Sequence, residues 1–210
     1  MKIGMIGLGK MGANMAQRLI KGGHEVVGYS RVSSAVLEVS KLGVIGTESI
    51  TELIDLLPSP KVIWMMVPSG KSTDEAFASI IPHLTSGDIL IDGGNTYYKD
   101  SIKRAAELSQ KGFHLVDVGT SGGVWGLTEG YNLMVGGEKE AVESVRSLFE
   151  VLVVCTNLVL PLNMILAHCF LLNLLCFLYL PLFRWHHHHH WLFEGFLYLL
   201  LSDADFFEGF

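Results

Sequence analysis

The chain has 210 residues, a formal net charge of −6 and an isoelectric point near 5.8. That length allows one large domain or one and a half ordinary ones, with enough chain to bury a core, and the acidic balance leaves no basic footprint for nucleic acid. Met1 to Lys21 carries Lys2 and Lys10 and no apolar signal segment, so no secretory leader is expected and the cytoplasm is the expected location.

Lys2 to Ile6 is a short apolar run that predicts a strand. Gly7, Gly9 and Gly12 follow it as G-x-G-x-x-G. Met11 to Lys21 has helical spacing, with Met11, Met15 and Leu19 on one side, and Gly22 and Gly23 end it. His24 to Tyr29 predicts a second strand. A glycine motif alone is a weak signal. Here it leaves a strand, opens a helix and is closed by another strand, which is the context that gives it meaning as a dinucleotide-binding turn. Gly7 would make the tight turn, Gly9 would let the backbone approach a pyrophosphate, and Gly12 would let helix and strand pack closely. The phosphates would sit at the helix N-terminus, where free N–H groups and the dipole favour an anion.

A helix over about Ser33 to Leu42 comes next, ended by Gly43. Ser49 and Glu52 form a capping box for a short helix to Leu56, and Ser72 and Glu75 form another for a helix running toward Leu84. Between them Lys61 to Val67 is nearly all apolar, as a strand buried on both faces should be. Asp88 to Asp92 and His114 to Val118 predict two more strands, separated by a helix from Tyr97 to Gln110 whose Lys99, Lys103, Arg104 and Lys111 read as a solvated face. Leu133 to Val135 predicts a short strand and Lys139 to Leu152 one helix, with Ala141, Val145, Leu148 and Leu152 in register. Strand and helix alternate throughout. The expected fold is therefore α/β, a Rossmann-type doubly wound parallel sheet.

In such sheets ligands bind beyond the carboxyl ends of the strands. Gly7 to Gly12, Pro68 and Ser69, Gly93 to Asn95, and Thr120 to Gly123 all stand at predicted strand ends. Each alone is ordinary turn chemistry; together they read as one site.

Four stretches, IGLGKMGANMAQRL, MMVPSG, DGGNTYYKDS and DVGTSGGVWG, occur in that order within about Met1 to Leu152. They resemble decarboxylating 6-phosphogluconate dehydrogenases, the shorter bacterial form especially, within the β-hydroxyacid dehydrogenase superfamily. The DGGN turn separates this branch from the 3-hydroxyisobutyrate dehydrogenases, which usually carry a Ser-Thr pair there. The resemblance implies that Gly7, Leu8, Gly9, Lys10, Met11 and Gly12 hold the cofactor pyrophosphate. It implies that Val67 and Pro68 line the adenosine and nicotinamide side, that Asn95 lies between nicotinamide and substrate, and that Ser121, Gly122 and Gly123 bind the sugar acid near its carboxylate. Asn can both donate to and accept from a hydroxyl, and backbone N–H groups in a glycine turn suit an anion.

Ser30 and Arg31 follow the second predicted strand, where an NAD-specific site usually has an acid for the ribose hydroxyls. Arg31 in its place favours a 2′-phosphate, so NADP is the expected cofactor, with NAD the alternative. The expected small-molecule partner is a sugar-acid phosphate, oxidised and decarboxylated to ribulose 5-phosphate. Another β-hydroxyacid substrate and a non-catalytic dinucleotide-binding protein are the alternatives.

The composition breaks near Glu150. All but two of the 23 glycines precede it, all 3 cysteines follow it, and no lysine occurs after Lys139. The family's second domain opens with a helix reading roughly Gly-x-Gly-His-x-x-Lys, whose lysine is the base on the carbon-3 hydroxyl. A glutamate further along is the acid. Here His168 is followed three residues on by Leu171, so the catalytic residues are unassigned. A domain boundary is expected at 155/156, with residues 156–210 a mainly helical segment beginning an all-α domain and making a homodimer or homotetramer. Three readings of this tail compete. Its uncharged run from Val151 to Phe183 is long enough to span a membrane, although Pro161, Asn163, His168, Asn173 and Pro181 interrupt it. It could be a buried helical domain. Or it is not the natural sequence, as after a frameshift, in which case the resemblance implies that the natural protein has the lysine and glutamate on a helix beginning roughly 15 to 25 residues after Glu150. The expected partners exclude a membrane. His186 to His190 resembles a tag, and consecutive histidines lack the spacing of a zinc site, so no metal is expected.

Overall fold

A computed structural model describes residues 1–153. The chain divides into two units, Met1–Val154 and Cys155–Phe210, and the described residues belong to the first. His168, the histidine run, the helical segment and the expected helix with the lysine and glutamate lie outside the described residues.

In chain order the elements are β1 (Lys2–Ile6), α1 (Lys10–Lys21), β2 (Glu25–Tyr29), α2 (Ser33–Ser40), β3 (Ile45–Thr47), α3 (Ile50–Asp55), β4 (Val62–Met65), α4 (Lys71–Ile80), β5 (Ile89–Asp92), α5 (Tyr98–Ser109), β6 (His114–Ser121), β7 (Asn132–Gly137), α6 (Lys139–Ser144) and α7 (Arg146–Leu152). They build one seven-stranded sheet in the order β3-β2-β1-β4-β5-β6-β7. The pairings from β3 through β6 are parallel, and β7 runs antiparallel to β6. The order reverses between β1 and β4, the crevice where an open sheet of this kind takes a ligand.

Alternation along each strand sends side chains into two cores. Ile3, Met5, Val62, Trp64 and Ile91 face α1, α2 and α7, where they meet Met15, Ala16, Leu19, Val39 and Leu148. Ile6, Ile63, Met65 and Leu90 face α3, α4 and α5 and meet Leu53, Ile54, Phe77, Ile80 and Leu108. Each fully buried aliphatic side chain is worth about 1.5–3 kcal/mol of transfer free energy.

Five local expectations are corrected. The sheet is not wholly parallel: the loop from Gly122 to Tyr131 is shorter than the dozen or so residues that a parallel crossover needs, so β7 returns as a hairpin. Strand β3 was not expected; it is three residues long, has Gly46 at its centre and, among the described residues, pairs only with β2. The Ser72/Glu75 capping box does not form, because α4 starts at Lys71 behind Gly70, whose φ of 86° and ψ of −132° suit glycine. The Ser49 cap does form, its hydroxyl accepting from the Glu52 N–H at 3.0 Å. The segment 139–152 is two helices, broken at Val145, whose ψ is 7°. Finally, Arg104 does not share the solvated face of α5, since its side chain is only 15% exposed.

Candidate cofactor-binding site

The first turn meets three separate geometric needs. Gly7 has φ of 95°, and a Cβ on it would strike the Met66 carbonyl. A Cβ on Gly12 would strike the Gly7 carbonyl and stand 3.2 Å from Met66 Cβ. Around Gly9, by contrast, a Cβ would meet nothing within 4 Å. Gly7 and Gly12 are thus required by the fold, while Gly9 leaves room for a ligand to reach the main chain. Gly9 is the N-cap of α1 with no side-chain cap, and no acidic residue stands in the first turn. The N–H groups at that end are therefore free for an anion. These observations fit a dinucleotide pyrophosphate.

The predicted ligand residues divide by what they expose. Leu8 is buried, so only its main chain can serve the turn, and Met11 packs against the core. Lys10 is exposed. The Ser30 hydroxyl accepts from the Val32 N–H at 3.3 Å. Arg31 is exposed, with Nη1 3.9 Å from Glu75 Oε2.

Beyond β4, Val67 is partly buried and Pro68 is exposed, and the Thr73 hydroxyl donates to the Pro68 carbonyl at 3.0 Å. A Cβ on Gly7 would lie 3.1 Å from Val67 Cγ1, and one on Gly94 would strike the Val67 carbonyl. The end of β4 therefore joins the glycine turn to the turn that carries Asn95. Asn95 is exposed and has φ of 58°. Asp92, at the end of β5, is wholly buried; its Oδ1 accepts from the Gly94 N–H at 2.9 Å and its Oδ2 from the Thr96 hydroxyl at 2.8 Å. In the sequence Asp92 stands out only as a strand end and Arg104 only as one of a row of cations, and Thr96 does not stand out at all. The signal available was an acid closing an otherwise apolar strand, ILID, which demands buried partners.

Ser121, Gly122 and Gly123 stand one strand further on. Ser121 is the exposed last residue of β6, and Gly122 and Gly123 have φ of 135° and 49° as the chain enters a 3-10 turn, Gly123–Leu127. Thr120 Oγ1 beside them is buried without a hydrogen-bond partner. That turn is moored to α1, for Arg18 Nη1 donates to the Leu127 carbonyl at 3.3 Å. A groove of about 250 Å³ lies elsewhere, between α4 and α5, and none of the predicted ligand residues lines it.

Asp117 on β6 pairs in register with Asp92 on β5. Its pKa is pushed up to about 6, first by burial and then by the charge of Asp92. Among the described residues no helix is long and apolar enough to cross a membrane, and no group of three metal-ligating side chains is gathered.

Residues 2–159 match the NAD binding domain of 6-phosphogluconate dehydrogenase. The chain is 44% identical over 153 residues to the NADP-dependent, decarboxylating 6-phosphogluconate dehydrogenase of Bacillus subtilis, covering 71% of this chain and 33% of that protein. It is 37% identical over 150 residues to the NAD-dependent, decarboxylating enzyme of Haloferax volcanii, covering 71% of this chain and 49% of the other. The 6-phosphogluconate dehydrogenase of Plasmodium falciparum, solved with NADP and with 6-phosphogluconate, superposes with a TM-score of 0.71 at 31% identity, over 75% of this chain and 35% of that one. The chain spans no more than half the length of the curated relatives it matches.

Proposed function

We propose that this chain, which belongs to the 6-phosphogluconate dehydrogenase family, takes NADP at its glycine turn and serves the oxidative decarboxylation of 6-phospho-D-gluconate to ribulose 5-phosphate. The observation that carries the reading is the family match over residues 2–159. The turn at Gly7, Gly9 and Gly12 supports it, being closed where the fold needs closeness and open where a pyrophosphate would approach.

A bound nicotinamide supplies the hydride acceptor. The chain's own part is to bind and orient. The uncapped N–H groups of α1 suit the pyrophosphate, and Val67 and Pro68 flank the cofactor. Asn95 offers an amide to a hydroxyl, and the main chain of Ser121 to Gly123 offers donors to a carboxylate. Exposed Arg31, with no acid at the end of β2, supports NADP over NAD.

An alcohol that loses hydride must also lose its hydroxyl proton, and a positioned base is worth about 10²- to 10⁴-fold in rate. No lysine follows Lys139, which favours one second reading, a dinucleotide-binding protein without turnover. The full chain is incubated with NADP and 6-phosphogluconate, with 3-hydroxyisobutyrate in parallel, and NADPH and carbon dioxide are followed. Release of both from 6-phosphogluconate supports the proposal. NADP binding without turnover supports the second reading, and oxidation of 3-hydroxyisobutyrate alone contradicts both.

A further inference from the structure

We infer that Asp92 is a positioning residue for Asn95: a buried carboxyl clamp, backed by Arg104, that holds the 93–96 turn in the shape that presents the Asn95 amide at the strand ends. What Asn95 does rests on the functional reading above; how it is held rests on geometry.

Asp92 is 0% exposed, yet both its oxygens are aimed at the turn: Oδ1 accepts from Gly94 N–H and Oδ2 from the Thr96 hydroxyl. These two bonds bracket Asn95, the only residue other than glycine with positive φ among the described residues. L side chains adopt that conformation infrequently, so something must hold it there. The other side of the turn is pinned by β4, since the Gly93 N–H donates to the Met65 carbonyl at 2.9 Å and Gly94 leaves no room for a Cβ against the Val67 carbonyl.

Arg104 secures the clamp from behind. Its Nη2 donates to Asp74 Oδ1 at 2.7 Å, its guanidinium lies 4.5 Å over the Phe77 ring, and Nη1 stands 3.7 Å from Asp92 Oδ2. Nη1 is buried and makes no hydrogen bond, and the buried carboxylate of Asp92 is within ion-pair distance of it. If the clamp is released, the turn relaxes toward negative φ and the amide leaves its place. A purely structural Asp92 would close β5 and affect folding alone.

Replacing Asp92 could unfold the unit, so the test is made at Thr96, whose hydroxyl is one jaw of the clamp. Thr96→Val and Thr96→Ser are made in the full chain, alone and with Asn95→Gly, and NADPH is titrated by its nicotinamide fluorescence beside thermal melts. Thr96→Val is expected to weaken NADPH binding about tenfold, the loss of one hydrogen bond to a charged group. Thr96→Ser should restore affinity to within about twofold, because it keeps the donor. In the Asn95→Gly background Thr96→Val should have no further effect. An equal loss in both backgrounds, or no loss from Asn95→Gly itself, overturns the inference while leaving the cofactor site intact. The cofactor site is checked separately with Gly9→Asp: full NADPH affinity in that variant overturns the functional reading and this inference with it.

Discussion

Arg18 Nε donates to the main-chain carbonyl of Val151 at 2.9 Å, across 133 positions of sequence. Its Nη2 donates to Val153 at 3.0 Å and its Nη1 to Leu127 at 3.3 Å. The first two acceptors belong to the end of α7, where helix carbonyls have no partner of their own and a cation is favoured by the dipole. The helix that opens at the glycine turn is thus fastened at its other end to α7. Arg18→Met should destabilise the first unit by about 2 kcal/mol, because partly buried carbonyls lose a charged donor. Arg18→Lys should recover only part of this, since one ammonium cannot reach three carbonyls. Thermal melts decide it, and an unchanged midpoint in Arg18→Met would contradict the assignment.

Gly12→Ala should damage both fold and binding. Its methyl would strike the Gly7 carbonyl, so the turn must open to admit it. A cost of about 1–3 kcal/mol is expected from such overpacking, with a loss of NADP affinity. Gly136→Ala is the control, because a Cβ there meets nothing within 4 Å. Equal behaviour of the two variants in melts and titrations would show that the turn has more slack than its contacts imply.

Arg31 is expected to act on cofactor choice rather than on stability. Its contact with Glu75 at 3.9 Å joins side chains 73% and 53% exposed, and such surface pairs contribute little. Lys71 Nζ is also 3.7 Å from Glu75, at Oε1. Arg31→Ala should leave the melting midpoint in place and weaken NADP about tenfold, while NAD changes less than about twofold. Glu75→Gln should favour NADP slightly by removing a competing acid. Paired titrations with the two cofactors test this, and equal losses for NADP and NAD would refute it.

Asp117 makes stability depend on pH. Burial and Asp92 raise its pKa from 3.8 to about 6, against the smaller opposing effects of Ser101 and Arg104. The raised value means that the folded state holds the proton more tightly than the unfolded chain. Its contribution is complete below about pH 4 and is lost as pH rises through about 6. Asp117→Asn should therefore change little at pH 4 and raise stability above pH 6, by about 1–2 kcal/mol after allowing for solvent screening. Melting midpoints of both proteins across that range are the measurement. A constant difference between them would argue against the coupling.

The sheet was legible wherever one residue pattern had one physical cause. Val62 to Met65 reads as a central strand because both its faces are covered, and Gly7 to Gly12 reads as a turn because strand and helix flank it. The misses have causes that a linear pattern does not carry. Ile45 to Thr47 is too short to show alternation. Ser72 and Glu75 match a capping box, but the backbone freedom of Gly70 starts the helix earlier. Arg104 looks like its lysine neighbours until Asp92, Asp74 and Phe77 are brought around it from β5 and α4. At the site, the glycines announced themselves, whereas the clamp on Asn95 is made of common residues that matter only by proximity.

The most direct test is calorimetric titration of the full chain with NADP, wild type against Gly9→Asp, with thermal melts of both. Nothing lies within 4 Å of a Cβ at Gly9, so the fold should tolerate the side chain and the melting midpoints should agree. A carboxylate there would occupy the pyrophosphate's approach and repel it, so wild type should bind and Gly9→Asp should lose affinity at least about a hundredfold. Comparable NADP affinity in the two proteins would contradict the assignment of the cofactor to this turn.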